Sequence, residues 1–259
     1  MKDGGLNKVK SVARALAVLA FWLAVWAALA ALVHKELLLP RPDLVLERFF
    51  ALLVTNQFWL VTASSLLRIV EGFALGLTGG GLLALLMQKS RIATALLQPL
   101  VQVVRSTPVA SFIILALVWI DKPLLPVFIS FLMVLPISWA NLRAGLENTD
   151  RQLLEMAALF RVRRLDVWRR IYFPSLHPYL LSAATTGLGL AWKSGITAEV
   201  IAAPRLAVGS ELQAAKVNLE TADAFVWTLV VAILSMALEK LLLRMMKRGK
   251  ARYAPEEKA

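Results

Sequence analysis

Six apolar runs constrain this chain more than any other feature, because each approaches or exceeds the about 20 residues that carry a helix across a bilayer. They fall at about Ala13 to Val33, Ile69 to Gln88, Ile92 to Ile120, Pro123 to Leu142, His177 to Ala203 and Ala224 to Met246. With 59% of its 259 residues hydrophobic and a mean hydropathy of +0.68, the chain carries more apolar surface than a soluble core hides. The expected fold is all-α, a polytopic membrane protein with six transmembrane helices, since a helix satisfies its own backbone in lipid. The first run is too long, and too directly followed by charges, to read as a cleavable signal peptide.

Charge follows a topological pattern. The tail through Arg14, the Lys89 to Arg91 turn, the segment Arg143 to Arg170 and the tail from Lys240 together carry a net +13. The alternating segments, Lys35 to Arg48, Asp121 with Lys122, and Arg205 to Asp223, carry −1. Lys and Arg accumulate on the cytoplasmic side, so both termini are expected in the cytoplasm of a multi-pass protein of a bacterial-type plasma membrane. That topology accounts for the net charge of +12, and nucleic acid is not an expected partner. The stretch Leu37 to Trp59 is too charged to span and too apolar to float, which suggests an amphipathic helix at the outer interface with Trp59 as an anchor. The final RYAPEEKA reads as a disordered end.

Several chemistries have no residues to carry them. The chain has no cysteine and only His34 and His177, so disulfides, thiolate catalysis and a Cys- or His-rich metal site are not expected. The glycine-rich GLTGGGLLALL lies in an apolar run and lacks the Lys of a phosphate-binding loop. No catalytic residue, metal site or resident cofactor is expected, and the chain reads as a non-enzyme.

The segment LLEMAALFRVRRLDVWRRIYFPSLHPYL is too polar to span. Leu153, Leu154, Ala157, Ala158 and Phe160, then Leu165, Trp168 and Ile171, recur at helical spacing, giving two short amphipathic helices joined near Arg161. Pro174 and Pro178 are expected to end the second of them. Here the sequence resembles the permease subunits of binding-protein-dependent ABC importers, whose signature is EAA, three residues, Gly, nine residues, Ile, one residue, Leu-Pro. Glu155 stands for the Glu, Met156 and Ala157 for the alanines, Arg161 for the Gly, Ile171 for the Ile and Phe173-Pro174 for the Leu-Pro. SSLLRIVEGFALG, RSTPVASFIILALVWI and GLAWKSGITAEVIAAP are similar to the nitrate, sulfonate and taurine branch. The resemblance covers about Trp59 to Lys247. Arg161 departs from the pattern, and a left-handed turn there would cost about 1 kcal/mol without glycine.

The resemblance implies the type I ABC importer permease fold. It divides the chain into an N-terminal tail, first span and outer segment (1–58), a core permease domain (59–247) with a coupling loop (144–176), and a cytoplasmic tail (248–259). Through Glu155, Met156, Ala157, Arg161, Ile171 and Pro174 the loop would dock on a cytoplasmic ABC ATPase dimer, which holds the Mg-ATP. The other implied partners are an extracytoplasmic substrate-binding protein and a second permease copy.

Arg105, Ser106, Thr107 and Pro108 interrupt the third run, and Lys193 and Glu199 lie in the fifth. Charges at bilayer depth face a cavity or find a partner. Two readings stand: Arg105 and Lys193 line a translocation pathway that favours a small anion, or these charges pair with Glu199, Glu71 or carbonyls, with Lys193–Glu199 and Arg68–Glu71 as candidate pairs. The glycines of the second and fifth runs serve either a homodimer seam or packing within one subunit. The expected function is ATP-driven import of a nitrate-, sulfonate- or taurine-like solute, with pyrimidine vitamin precursors also compatible. An ATPase-independent channel or ion-coupled carrier, using Arg105, Lys193 and Glu199 as a relay, is the alternative.

Overall fold

The computed structural model describes residues 3–250, and among these the only regular secondary structure is helical. In chain order the helices are α1 (Asp3–Val33), α2 (Pro42–Leu53), α3 (Asn56–Lys89), α4 (Arg91–Ser106), α5 (Val109–Ala116) and α6 (Leu125–Glu147). They continue with α7 (Arg151–Leu159), α8 (Arg164–Val167), a π-helical turn (Trp168–Tyr172), α9 (Phe173–Ala202), α10 (Val208–Val217) and α11 (Thr221–Lys250). The RYAPEEKA end lies outside the described residues.

The chain divides into two compact units, Met1–Trp59 with Glu211–Val230, and Leu60–Ser210 with Val231–Ala259. In the first, the Leu16–Val33 stretch of α1 is apolar and almost wholly exposed, tied down where Trp26 stacks on Phe225 at 5.7 Å and donates to the Pro40 carbonyl at 3.1 Å. The expected amphipathic segment is helical over α2, which turns Val45 inward and leaves Leu46 and Phe50 exposed, and again from Asn56, where α3 begins. Trp59 belongs to the first turn of α3, where its Nε1 donates to the Leu53 carbonyl at 3.0 Å.

In the second unit, α3, α6 and α9 form the core. Gly72, Gly76 and Gly80 repeat every four residues along α3, and a Cβ at each would lie 2.3, 2.8 and 2.4 Å from the carbonyls of Val127, Phe131 and Leu135 on α6. The two backbones touch, a packing only glycine permits. Ser138 Oγ donates to the Leu77 carbonyl at 2.6 Å, and Ser130 Oγ to the Ala191 carbonyl at 3.1 Å, which locks both seams. Gly195 sits against Ile69 and Ser130, and Gly187 against Val134. Within this unit the glycines therefore serve intrasubunit packing; Gly189 differs, with nothing within 4 Å.

One expected boundary moves, and the number of candidate spans changes. The second span starts at Asn56 rather than Ile69, because Ser65 and Arg68, which lower its hydropathy, have polar partners inside the unit. Instead of six spans read from hydropathy, four described helices are long and apolar enough to cross a membrane, or five if the bent pair α4–α5 is one. The remaining run, α9, has the length at 30 residues but carries Ser182, Thr186, Lys193, Ser194, Thr197 and Glu199. Ser194 and Glu199 are among its 12 buried residues, and the other four lie along one more exposed face of the helix.

Candidate functional site

The segment between α6 and α9 presents an exposed, largely apolar surface. Asp150 caps α7 by accepting the Gln152 N–H at 2.8 Å, fixing where the helix begins. Ala157 faces inward at 4% exposure, whereas Glu155, Met156, Leu159 and Phe160 are exposed. Exposed apolar groups at this density signal a partner surface.

Arg161 keeps the geometry of the glycine it replaces. Its φ is +50°, with Val162 N–H donating to the Ala157 carbonyl at 2.9 Å and Arg161 N–H to Ala158 at 3.1 Å. Those two bonds define a Schellman cap, which satisfies the carbonyls at the end of α7 and turns the chain into α8. The expected stop at Pro174 and Pro178 is absent. Pro174 lies in the first turn of α9 and Pro178 inside it, and the π turn runs straight into α9. The wider turn moves the hydrogen-bond ladder ahead of the first proline: the Phe173 N–H reaches Trp168 rather than Arg169, and Ser175 Oγ donates to the Ile171 carbonyl at 2.8 Å. Trp168 stacks on Tyr172 at 4.6 Å, and Ile171 is half-buried. From Arg164 to Ala202 the chain is thus one continuous helical body.

At the broken span, α4 and α5 meet at 105°. Thr107 is extended and Pro108 starts α5, so the kink sits at the residue before proline. Ser106 and Thr107 turn their hydroxyls onto the Val103 carbonyl at 3.2 and 2.8 Å. Arg105, in the last turn of α4, is exposed and without a protein partner among the described residues.

Lys193 is likewise exposed and unpartnered among the described residues. It stands in a stripe along α9 formed by Ser182, Thr186, Gly189, Lys193 and Thr197, spaced three or four apart on a helix whose other faces are mostly buried. Glu199 occupies a different face. It is fully buried, accepts from Ser65 Oγ at 2.8 Å and from the Gly209 N–H at 3.1 Å, and lies 3.7 Å from Arg68. The expected Lys193–Glu199 pair is absent because six residues rotate the helix by about 240°, which puts the two groups on different faces. The expected Arg68–Glu71 pair is absent because Arg68 donates to the carbonyls of Leu206 and Arg205 at 3.0 and 3.1 Å and faces Glu199. The sequence reading pairs Arg68 with Glu71 along one helix face and assigns Ser65 no role. The three-residue spacing of Ser65 and Arg68, which aligns two polar groups on one face of an apolar helix, was the available signal.

The family described as the binding-protein-dependent transport system inner membrane component matches residues 76–249. A probable ABC transporter permease protein of Brucella melitensis is 32% identical over 205 residues, 79% of this chain and 83% of the relative. The taurine transport system permease protein TauC of Escherichia coli is 27% identical over 238 residues, 89% of this chain and 86% of the relative. The nitrate import permease protein NrtB of Leptolyngbya laminosa is 25% identical over 162 residues, 61% of this chain and 58% of the relative.

Proposed function

The chain belongs to the inner-membrane components of binding-protein-dependent transport systems, a family of ABC permeases, and from that premise we propose that it carries a small anion into the cell by alternating access. Nitrate, taurine and alkane sulfonates are the cargo class. The observation that carries this reading is the continuity of the docking segment with α9: no loop separates Arg164 from the helix that bears the Lys193 stripe. A displacement imposed on the segment is delivered to that stripe without a hinge to absorb it.

ATP binding and hydrolysis belong to a cytoplasmic ATPase dimer, which this chain engages through Glu155, Met156, Ala157, Arg161, Ile171 and Pro174. Approach of the two ATPase subunits pulls the docking segments together and rocks α9, and a packed interface with two stable arrangements converts that motion into a switch. A second copy of the chain faces the Ser182 to Thr197 stripe, because Ser, Thr and Lys at helical spacing are disfavoured against lipid. Arg105 and Lys193 then supply positive potential along the passage, while Ser106, Thr107 and Pro108 shape the break beside it and Glu199 holds α9 from behind. An extracytoplasmic binding protein delivers the solute, and both termini lie in the cytoplasm.

The test is the Glu155→Ala, Arg170→Ala double variant, assayed for co-purification of a P-loop ATPase and for uptake of labelled taurine and nitrate. Loss of both is expected. Wild-type association and uptake in that variant would overturn the docking assignment. Voltage- or proton-driven flux through the isolated chain would overturn the importer reading itself.

A further inference from the structure

At the end of α9 far from the docking segment, the chain turns back through Ala203 to Leu206 before α10 begins. Two non-glycine residues in this turn have left-handed backbones, Ala203 at φ +46° and Leu206 at +51°. L-residues adopt that region reluctantly, so the turn relaxes when whatever holds it lets go. Its first half is tied by the Ala203 N–H to the Glu199 carbonyl at 2.8 Å and by Ser210 Oγ to the Pro204 carbonyl at 2.6 Å, and its second half by Arg68 of α3 through the carbonyls of Arg205 and Leu206.

Two further bonds pin the following residues. Ser65 Oγ accepts the Val208 N–H at 2.8 Å while donating to Glu199 Oε2, and that same oxygen accepts the Gly209 N–H. Gly209 rests directly on α9, since a Cβ there would lie 2.5 Å from Glu199 Cβ. The distal side of the turn is therefore fixed to α9, Ala203 and Pro204 are tied to Glu199 and Ser210, and only the Arg205 and Leu206 carbonyls are held through one guanidinium.

That guanidinium has a second place to go. Glu199 Oε1 is fully buried without a hydrogen-bond partner among the described residues, and Arg68 Nη1 stands 3.7 Å from it, just beyond bonding distance. A buried carboxylate oxygen left unpaired is costly, and a charge-assisted bond from Arg68 would relieve it.

We propose that Arg68 is a two-position clasp: in the conformation seen here it holds the Arg205–Leu206 end of the turn, and by closing on Glu199 it frees that end to move between the tied Pro204 and the pinned Val208–Gly209. The clasp couples the far rim of the passage to the state of α9. It rests on the importer reading, because the motion that moves Arg68 is the one transmitted along α9. Arg68, Ser65 and Glu199 act as positioning residues.

The chain's lack of cysteine permits single-cysteine reporters. Leu206→Cys reads the turn and Thr186→Cys reads the stripe, in the complex purified with its ATPase from the native host. N-ethylmaleimide labelling of this chain is followed by mass spectrometry, with no nucleotide and with ATP plus vanadate. Labelling at position 206 is expected to change by at least about fivefold between the two states. Adding Arg68→Lys, which keeps the charge but loses the fork, is expected to abolish that change while the response at 186 persists. Glu199→Gln, which keeps its size and an acceptor oxygen, repeats the test should the Arg68 variant fail to fold. A silent position 206 beside a responsive 186 overturns the clasp, as does an undiminished response in both variants. Silence at both positions overturns the importer reading and the clasp with it.

Discussion

Replacing Gly80 by alanine tests whether the α3–α6 seam is as tight as described. The new Cβ would lie 2.4 Å from the Leu135 carbonyl oxygen, 2.6 Å from Ser138 Cβ and 2.8 Å from the Trp139 nitrogen. None of these atoms belongs to the free end of a flexible side chain, so none can swing away. Relief requires α3 and α6 to part by about 1 Å, the deficit against ordinary contact distances. Parting strains the Ser138–Leu77 bond and loosens the packing of buried Trp139. Overpacking of this kind costs about 1–3 kcal/mol, a weakened hydrogen bond adds about 1 kcal/mol, and the better helix propensity of alanine returns up to about 1 kcal/mol. The net is a destabilisation of about 2 kcal/mol, or a melting temperature lower by roughly 4–8 °C for a chain of this size. The assay is the thermal midpoint of the detergent-purified protein by fluorescence-detected size exclusion. Gly189→Ala is the control, since nothing lies within 4 Å of that position. If the two variants melted together, the close-packed seam would be refuted.

Four other outcomes follow from single positions. Arg161→Gly should raise the melting point by removing about 1 kcal/mol of left-handed strain while preserving ATPase association; a fall would mean that the arginine side chain, not the backbone, holds the turn. Asp150→Ala should cost about 1 kcal/mol and speed amide exchange selectively over residues 151–159, an effect visible by hydrogen-exchange mass spectrometry and absent if the cap is dispensable. Trp192→Phe removes the 3.0 Å bond to the Val231 carbonyl and should lose about 1 kcal/mol, against about 3–5 kcal/mol for Trp192→Ala; equal losses would assign the whole effect to packing. Lys193→Gln should lower labelled anion uptake about tenfold, the equivalent of ~1.4 kcal/mol of lost attraction, whereas Lys193→Arg should retain it; equal uptake by all three would remove Lys193 from the passage.

What could be read in advance followed from rules that act along the chain. The apolar runs located most of the long helices, Pro108 marked the bend between α4 and α5, and the spacing around Glu155 identified a short helix that ends near Arg161. Such signals are local: a proline lacks its donor wherever it sits, and an amphipathic stripe repeats every three or four residues regardless of its surroundings. Pro174 and Pro178 marked the limit of that reasoning. A proline stop is a tendency that a widened turn and one serine hydroxyl can override, as Ser175 does here.

Length, apolar content and helical spacing by themselves determined an all-helical membrane protein with a short amphipathic segment after α6, because bilayer thickness and helical period are written one residue after another. Tertiary structure alone decided the partners of the polar groups. Ser65, Arg68, Glu199 and Gly209 are separated by as many as 144 positions and become neighbours only when α3 and α9 pack and the following turn folds back on them. The same holds for Gly72, Gly76 and Gly80, whose repeat is visible in one dimension although the carbonyls that require it lie on another helix. Burial and charge pairing depend on distances in space, and hydropathy along the chain does not carry them.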